Sequence, residues 1–227
     1  NISRFPEAKL PIILVVPIKN EPKVPEPRSI PAWYPNHVWS IDCTTVLSWG
    51  LWPTYLLVII DLYSRKVIST LPMEGPNTGW ALNIIEDAIV IFGAPKHIIT
   101  DQGSIFTGIV FADFIAQWNI KHRLGAVKKH GSISVTERVI KTLKYEWLHR
   151  IPLIKGFDHL TNICQEFTAW YNRWRPHMTL DGGRPDDKYF FHDWQPPEKD
   201  CKIVPLDIEK RYFKATRITG YKLKNAA

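Results

Sequence analysis

A chain of 227 residues, 45% hydrophobic and 22% charged, is long enough to bury a real core and has an ordinary globular balance. Its 29 Lys and Arg against 22 Asp and Glu leave a formal charge of +7, which favours a polyanionic partner. Three cysteines (Cys43, Cys164, Cys201) with no C-x-x-C pair argue against a disulfide framework or a thiolate zinc site, and no apolar run approaches the roughly 20 residues of a membrane span.

Residues 1–35 hold eight of the eighteen prolines and read as an extended linker, because proline fixes φ and restrains the residue before it. The apolar stretch LPIILVVPI (10–18) contains two of those prolines and lacks the cleavage site of a signal peptide. The chain opens on Asn1, so we expect further sequence upstream. The folded core is expected to start near Asn36 and to end near residue 190, with a basic tail over 191–227.

Three runs rich in β-branched and aromatic residues follow, HVWSIDCTTV (37–46), TYLLVIIDLY (54–63) and KVISTLP (66–72), and read as a three-stranded meander. Apolar residues at helical spacing over 77–93 predict a helix that ends at Gly93. HIIT (97–100) is a short buried strand, 106–118 a second helix, and 120–124 a fifth strand. GAVKKHGS (125–132) is a Gly-bounded basic loop. Two long helices are expected over 133–150 and 157–174, then the turn-like RPHMTLDGGRP (175–185). The end of the tail, KRYFKATRITGYKLK, is compatible with strand or with disorder. Strands first, then alternation of strand and helix, give an α/β fold with a mixed sheet flanked by helices.

Two acids lie on strands. Asp42 falls inside the first, and Asp101 immediately follows HIIT. An acid in a buried strand is costly unless paired or metal-bound. Alternation could instead turn Asp42 to solvent, and Asp101 could begin a turn or cap a helix. On the helix after the loop, Thr136, Val139, Ile140, Leu143 and Trp147 form one apolar stripe. Glu137 lies about 100° off that stripe, with Lys141 and Lys144 on its own face. That face is either a solvated salt-bridge ladder or a metal-binding acid flanked by cations for phosphates. Three carboxylates from three elements have the hard oxygens that Mg²⁺ or Mn²⁺ requires.

Three segments carry a resemblance: W39-S-I-D42, then H97-I-I-T-D101-Q-G-S-I-F106, then K129-H-G-S-I-S-V-T-E137-R-V-I-K-T-L-K144, with 35 residues between Asp101 and Glu137. A further piece, Y171-N-R-W-R-P-H177 with G182-G-R-P185, follows in the same order. The chain resembles the DDE-type integrase core of retroviral integrases and bacterial insertion-sequence transposases. The loop before Glu137 departs from many members, keeping Gly131 but not their prolines or Asn.

The resemblance implies a ribonuclease H-like fold with a five-stranded mixed sheet. It implies that Asp42, Asp101 and Glu137 are catalytic and hold two ions of Mg²⁺ or Mn²⁺, with Asp42 bridging them. Cleavage by water and strand transfer by a DNA 3′-hydroxyl would follow, with no covalent protein–DNA intermediate. DNA, as element ends and target, would be the partner of a homo-oligomer in the cytoplasm, at the bacterial nucleoid. Lys128, Lys129, His130, Arg138, Lys141 and Lys144 are the candidate phosphate contacts. A nuclease of the same fold and a non-catalytic DNA-binding relative are the competing readings. His177 is expected to be structural, and Trp170 and Trp174 to belong to the core or an interface.

Overall fold

The computed structural model describes residues 31–125, 132–191, 193, 195 and 208–224. Its centre is a five-stranded sheet of β1 (Val38–Ser48), β2 (Trp52–Asp61), β3 (Val67–Met73), β4 (His97–Thr100) and β5 (Lys121–Leu124). The strand order is β3-β2-β1-β4-β5. The first three strands pair antiparallel through short turns, and β4 and β5 join parallel. The β1–β2 connection is the three residues Trp49 to Leu51, in which Trp49 and Gly50 both take positive φ (51° and 74°) and the Leu51 N–H bonds back to the Ser48 carbonyl.

Helices cover both faces. Helix α1 (Thr78–Phe92) begins where the Asn77 side chain accepts the Gly79 N–H and stops at Gly93, whose φ of 86° suits a residue without Cβ. Its Ala81, Ile84, Ile85, Ala88 and Ile89 are buried, at the expected spacing. Helices α2 (Ser104–Thr107) and α3 (Ile109–Gln117) share that side. The sequence reads them as one helix, but Gly108 is extended and divides them. On the other side lie α4 (Ser132–Lys141) and α5 (Gly156–Arg173). The helix expected over 133–150 is α-helical only to Lys141. It widens into a π-helix over Thr142–Trp147 and tightens into a 3₁₀ turn over Leu148–Arg150. The wide turn buries Thr142, Leu143 and Trp147 together.

Strand alternation divides the core. Trp39, Ile41, Leu57 and Ile59 pack under α1 and α3, while Val38, Val58, Ile60 and Ile99 pack under α4 and α5. Fully burying each such side chain contributes about 1.5–3 kcal/mol. The free edge of β3 is closed at Val67 by Asn172 of α5. Its carboxamide accepts the Val67 N–H at 2.9 Å and donates to the Val67 carbonyl at 2.8 Å.

A short helix that the sequence reading does not separate, α6 (Pro185–Phe190), follows the 175–185 turn. Its Asp186 pairs with buried Lys66, whose ammonium also lies over the rings of Phe92, Tyr189 and Phe190 at 5.6, 5.3 and 4.8 Å. Near the end of the chain, β6 (Ile208–Phe213) and β7 (Ile218–Leu223) pair as an antiparallel hairpin. Its Phe213 is buried against Trp147 and Trp174. Among the described residues no helix is long and apolar enough to cross a membrane.

Candidate functional site

The parallel pairing of β1 with β4 sets Val38 opposite His97, Trp39 opposite Ile98 and Ser40 opposite Ile99. Continued along the strands, that register sets Asp42 opposite Asp101, about one strand spacing (~4.8 Å between backbones) away. Asp42 shares its face with Val38 and Ser40, and Asp101 shares its face with Ile99. This is the side covered by α4, and the negative charge of Asp101 acts on Asp42. The helix is fixed to the same strand by a bond from Thr136 Oγ1 to Ser40 Oγ at 2.7 Å, both residues being buried. Glu137, the next residue, therefore stands at the margin of the same face. Asp42 and Asp101 are half-buried and Glu137 is exposed.

The charges of the three acids act on one another. Burial is the main cause that raises the Asp42 carboxyl from 3.8 to about 6. The bond from the Cys43 N–H opposes this, the negative charges of Asp101 and Glu137 add to the rise, and Lys144 pulls it back. A bound cation would relieve that accumulation of negative charge, and the donors are hard carboxylate oxygens. Their present separation is wider than a ligating set requires. Among the described residues no group of three or more His, Cys, Asp or Glu stands close enough to hold an ion. The donor chemistry thus fits a divalent metal. Neighbouring Cys43 is held neutral, its thiol pushed up to about 12 by burial first and then by Asp42 and Asp101. It acts as a small strand residue.

Asp101 also does the turn work that its position suggests. Its Oδ1 accepts the Gly103 N–H at 3.0 Å, and a Cβ on Gly103 would meet that oxygen at 2.9 Å. The space around the Asp101 carboxylate therefore depends on a glycine two residues on. The adjacent Thr100 carbonyl accepts the Gly125 N–H at 2.7 Å, so the basic loop departs from beside Asp101, and α4 begins where it returns. Lys128, Lys129 and His130 of that loop lie outside the described residues. Of the helical cations, Lys144 is half-buried and near enough to Asp42 to act on its charge. Lys141 is exposed. Arg138, directly after Glu137, is exposed and its charge acts on Tyr171 of α5.

The positioning roles of Ser40, Thr136 and Gly103 are absent from the sequence reading. Ser40 lies two residues before Asp42 on one strand face, and Thr136 directly precedes Glu137, which is the signal available for the first two. Another buried acid, Asp61, serves the fold. It accepts bonds from Ser64 N–H, Ser64 Oγ and Asn36 N–H, at the end of β2 opposite Trp39. His177 donates from Nε2 to the Tyr171 carbonyl at 3.0 Å and is held neutral, its pKa lowered by burial to about 4, as a structural residue would be. Trp170 and Trp174 are buried in the α4/α5 core.

Two family models described as integrase core domain match the chain, over residues 34–130 and 119–185. Among curated proteins, an uncharacterized protein of Caenorhabditis elegans is 31% identical over 74% of this chain and 12% of its own length. Transposase InsF for insertion sequence IS3A of Escherichia coli is 27% identical over 67% of this chain and 53% of its own. The chain thus spans about half or less of the length of these relatives. Among solved structures, the HTLV-2 integrase catalytic core domain in complex with magnesium, in dimeric form, aligns with a TM-score of 0.56 and 24% identity. The alignment covers 70% of this chain and 99% of that one. This last likeness bears on the fold.

Proposed function

Starting from its membership of the integrase core domain family, we propose that the chain cuts and joins DNA strands with the help of divalent metal ions, using Asp42, Asp101 and Glu137. The observation that supports this reading is that Asp101, after β4, and Glu137, on α4, stand near enough to Asp42 of β1 for their charges to act on it. Mg²⁺ or Mn²⁺, two ions in all, would supply Lewis acidity toward phosphodiester oxygens. Asp42, inside β1, and Asp101, after β4, would hold cations between them, and Glu137 would complete the shell as α4 approaches. Lys144, Lys141 and Arg138 of the helix and the loop residues Lys128, Lys129 and His130 would neutralise phosphates. Residues 36–190 would form the catalytic unit, and a homo-oligomer would hold two DNA ends together.

The test uses labelled duplex DNA with recessed 3′ ends, incubated with the protein and Mn²⁺. Joined products that vanish with Asp101→Asn are expected. Cleavage without joining would shift the reading to a nuclease. A second reading, a DNA-binding relative without catalysis, is favoured by the wide spacing of the acids as they stand. It predicts DNA binding that is unchanged in Asp101→Asn, and no product in Mn²⁺ or Mg²⁺.

A further inference from the structure

Residues 208–224 carry six cations (Lys210, Arg211, Lys214, Arg217, Lys222 and Lys224) against one acid, Glu209. One face of the β6–β7 hairpin is committed to the core. Phe213 is buried between Trp147 and Trp174, and a Cβ on Gly220 would lie 3.0 Å from the Trp174 ring. Lys222 lies over the same ring at 5.1 Å and pairs with Glu209 at 3.0 Å. Alternation sends Lys210, Tyr212, Thr219 and Tyr221 to the opposite face.

On that outer face Tyr212 and Tyr221 are 57% and 55% exposed. The register sets Lys210 opposite Tyr221 and Tyr212 opposite Thr219, so the two rings stand diagonally on neighbouring strands, roughly 7 Å apart at the backbone. Among the described residues neither ring stacks on another aromatic side chain. Lys210 lies over the Tyr221 ring at 5.7 Å, and Lys214 and Arg217 are exposed at the turn. Cations suit any nucleic acid, but two solvent-facing rings beside them select further. A duplex stacks its bases inside, whereas an unpaired strand offers each base face to a ring.

We propose that the outer face of this hairpin binds single-stranded DNA, with Tyr212 and Tyr221 stacking on unpaired bases and Lys210, Lys214 and Arg217 meeting the phosphates. The proposal rests on DNA being the partner of the chain, and is independent of the carboxylates. Fluorescence anisotropy of the full chain with labelled oligo-dT, and with a duplex of equal length, tests it. Tyr212→Ala with Tyr221→Ala should weaken oligo-dT binding about tenfold or more, since stacking on each ring contributes that order. Duplex binding should change by less than about twofold, and the paired Phe substitutions should keep the wild-type affinity.

The idea is overturned if the wild-type chain does not bind oligo-dT, if the alanine variant binds it as well as wild type, or if both DNA forms are lost equally. Photocrosslinking of wild-type protein to iodouracil-substituted single strands gives a readout independent of variant folding. Crosslinks at Tyr212 or Tyr221 support the surface, and crosslinks confined elsewhere refute it. Ring-dependent binding of oligo-dT by the wild-type chain without any DNA joining would sink the catalytic proposal and leave this one standing.

Discussion

On β1 the odd residues Trp39 and Ile41 enter the layer under α1 and α3, while the even residues run from Val38 through Ser40 to Asp42 beneath α4. Much of the buried polarity lies on the second side: Ser40, Thr136, Thr142, Asn172 and His177. Under α1 and α3 the packing is by Ile, Ala, Phe and Trp, with Thr100 bonded to His122 near the margin. One strand thus serves two purposes at once, by alternation. The apolar side holds the sheet in place, and the mixed side carries half-buried Asp42 inside β1, with half-buried Asp101 just past the end of β4.

The largest effect that would sharpen this contrast is expected from Asp101→Asn. Strand joining in Mn²⁺ should fall at least about a thousandfold, because a catalytic cation contributes several kcal/mol to the barrier. The urea midpoint should barely move. A matching loss of stability would mean that the mixed side is not separable from the scaffold.

Ile85→Ala probes the opposite layer, where Ile85 is fully buried. It should cost about 2–5 kcal/mol of unfolding free energy. Mn²⁺ binding per folded molecule, measured by calorimetry, should be unchanged. A loss of metal binding would instead couple the two layers.

His177 gives a pH signature to the α5 side. Its pKa is lowered from 6.5 to about 4 in the fold, so between those values the unfolded chain binds the extra proton. The stabilisation is complete above pH 6.5 and is lost as pH falls toward 4. The loss should be on the order of 3 kcal/mol, read from urea melts against His177→Asn, in which that slope flattens.

The smallest effect concerns Asp42. Its raised carboxyl means that the folded chain favours the protonated form, so stability is lost as pH rises from 3.8 through about 6. Above pH 6, Asp42→Asn should therefore be more stable than wild type, by on the order of 1 kcal/mol once solvent screening is counted. Added Mn²⁺ should raise the melting temperature of wild type and not of this variant.

Local rules carried much of the fold. HIIT is β4 to the residue, and α1 lies within one residue of its expected ends because Asn77 and Gly93 mark both. The stripe of Thr136, Val139, Ile140, Leu143 and Trp147 is buried as its spacing requires. What escaped depends on distant partners. Gly108 looks tolerable inside a helix until its extended backbone is seen. The π-helix places Trp147 against Phe167 and Trp170 of α5 and Phe213 of β6, partners far from it in sequence. The hairpin holds its place because Phe213 finds Trp147 and Trp174, and no local pattern foretells that. For the proposed site, the three acids are read from residue types and spacings alone. The Ser40–Thr136 bond that aligns α4 with β1 joins residues 96 apart and was not legible there.

The carboxamide of Asn172 has a consequence beyond this one molecule. By occupying both main-chain groups of Val67, it serves as a false neighbour at the rim of the sheet. A border strand left open there would template lateral growth with other chains, the first step toward insoluble assemblies. Shielding that position with a side chain blunts the rim against such growth without adding another strand.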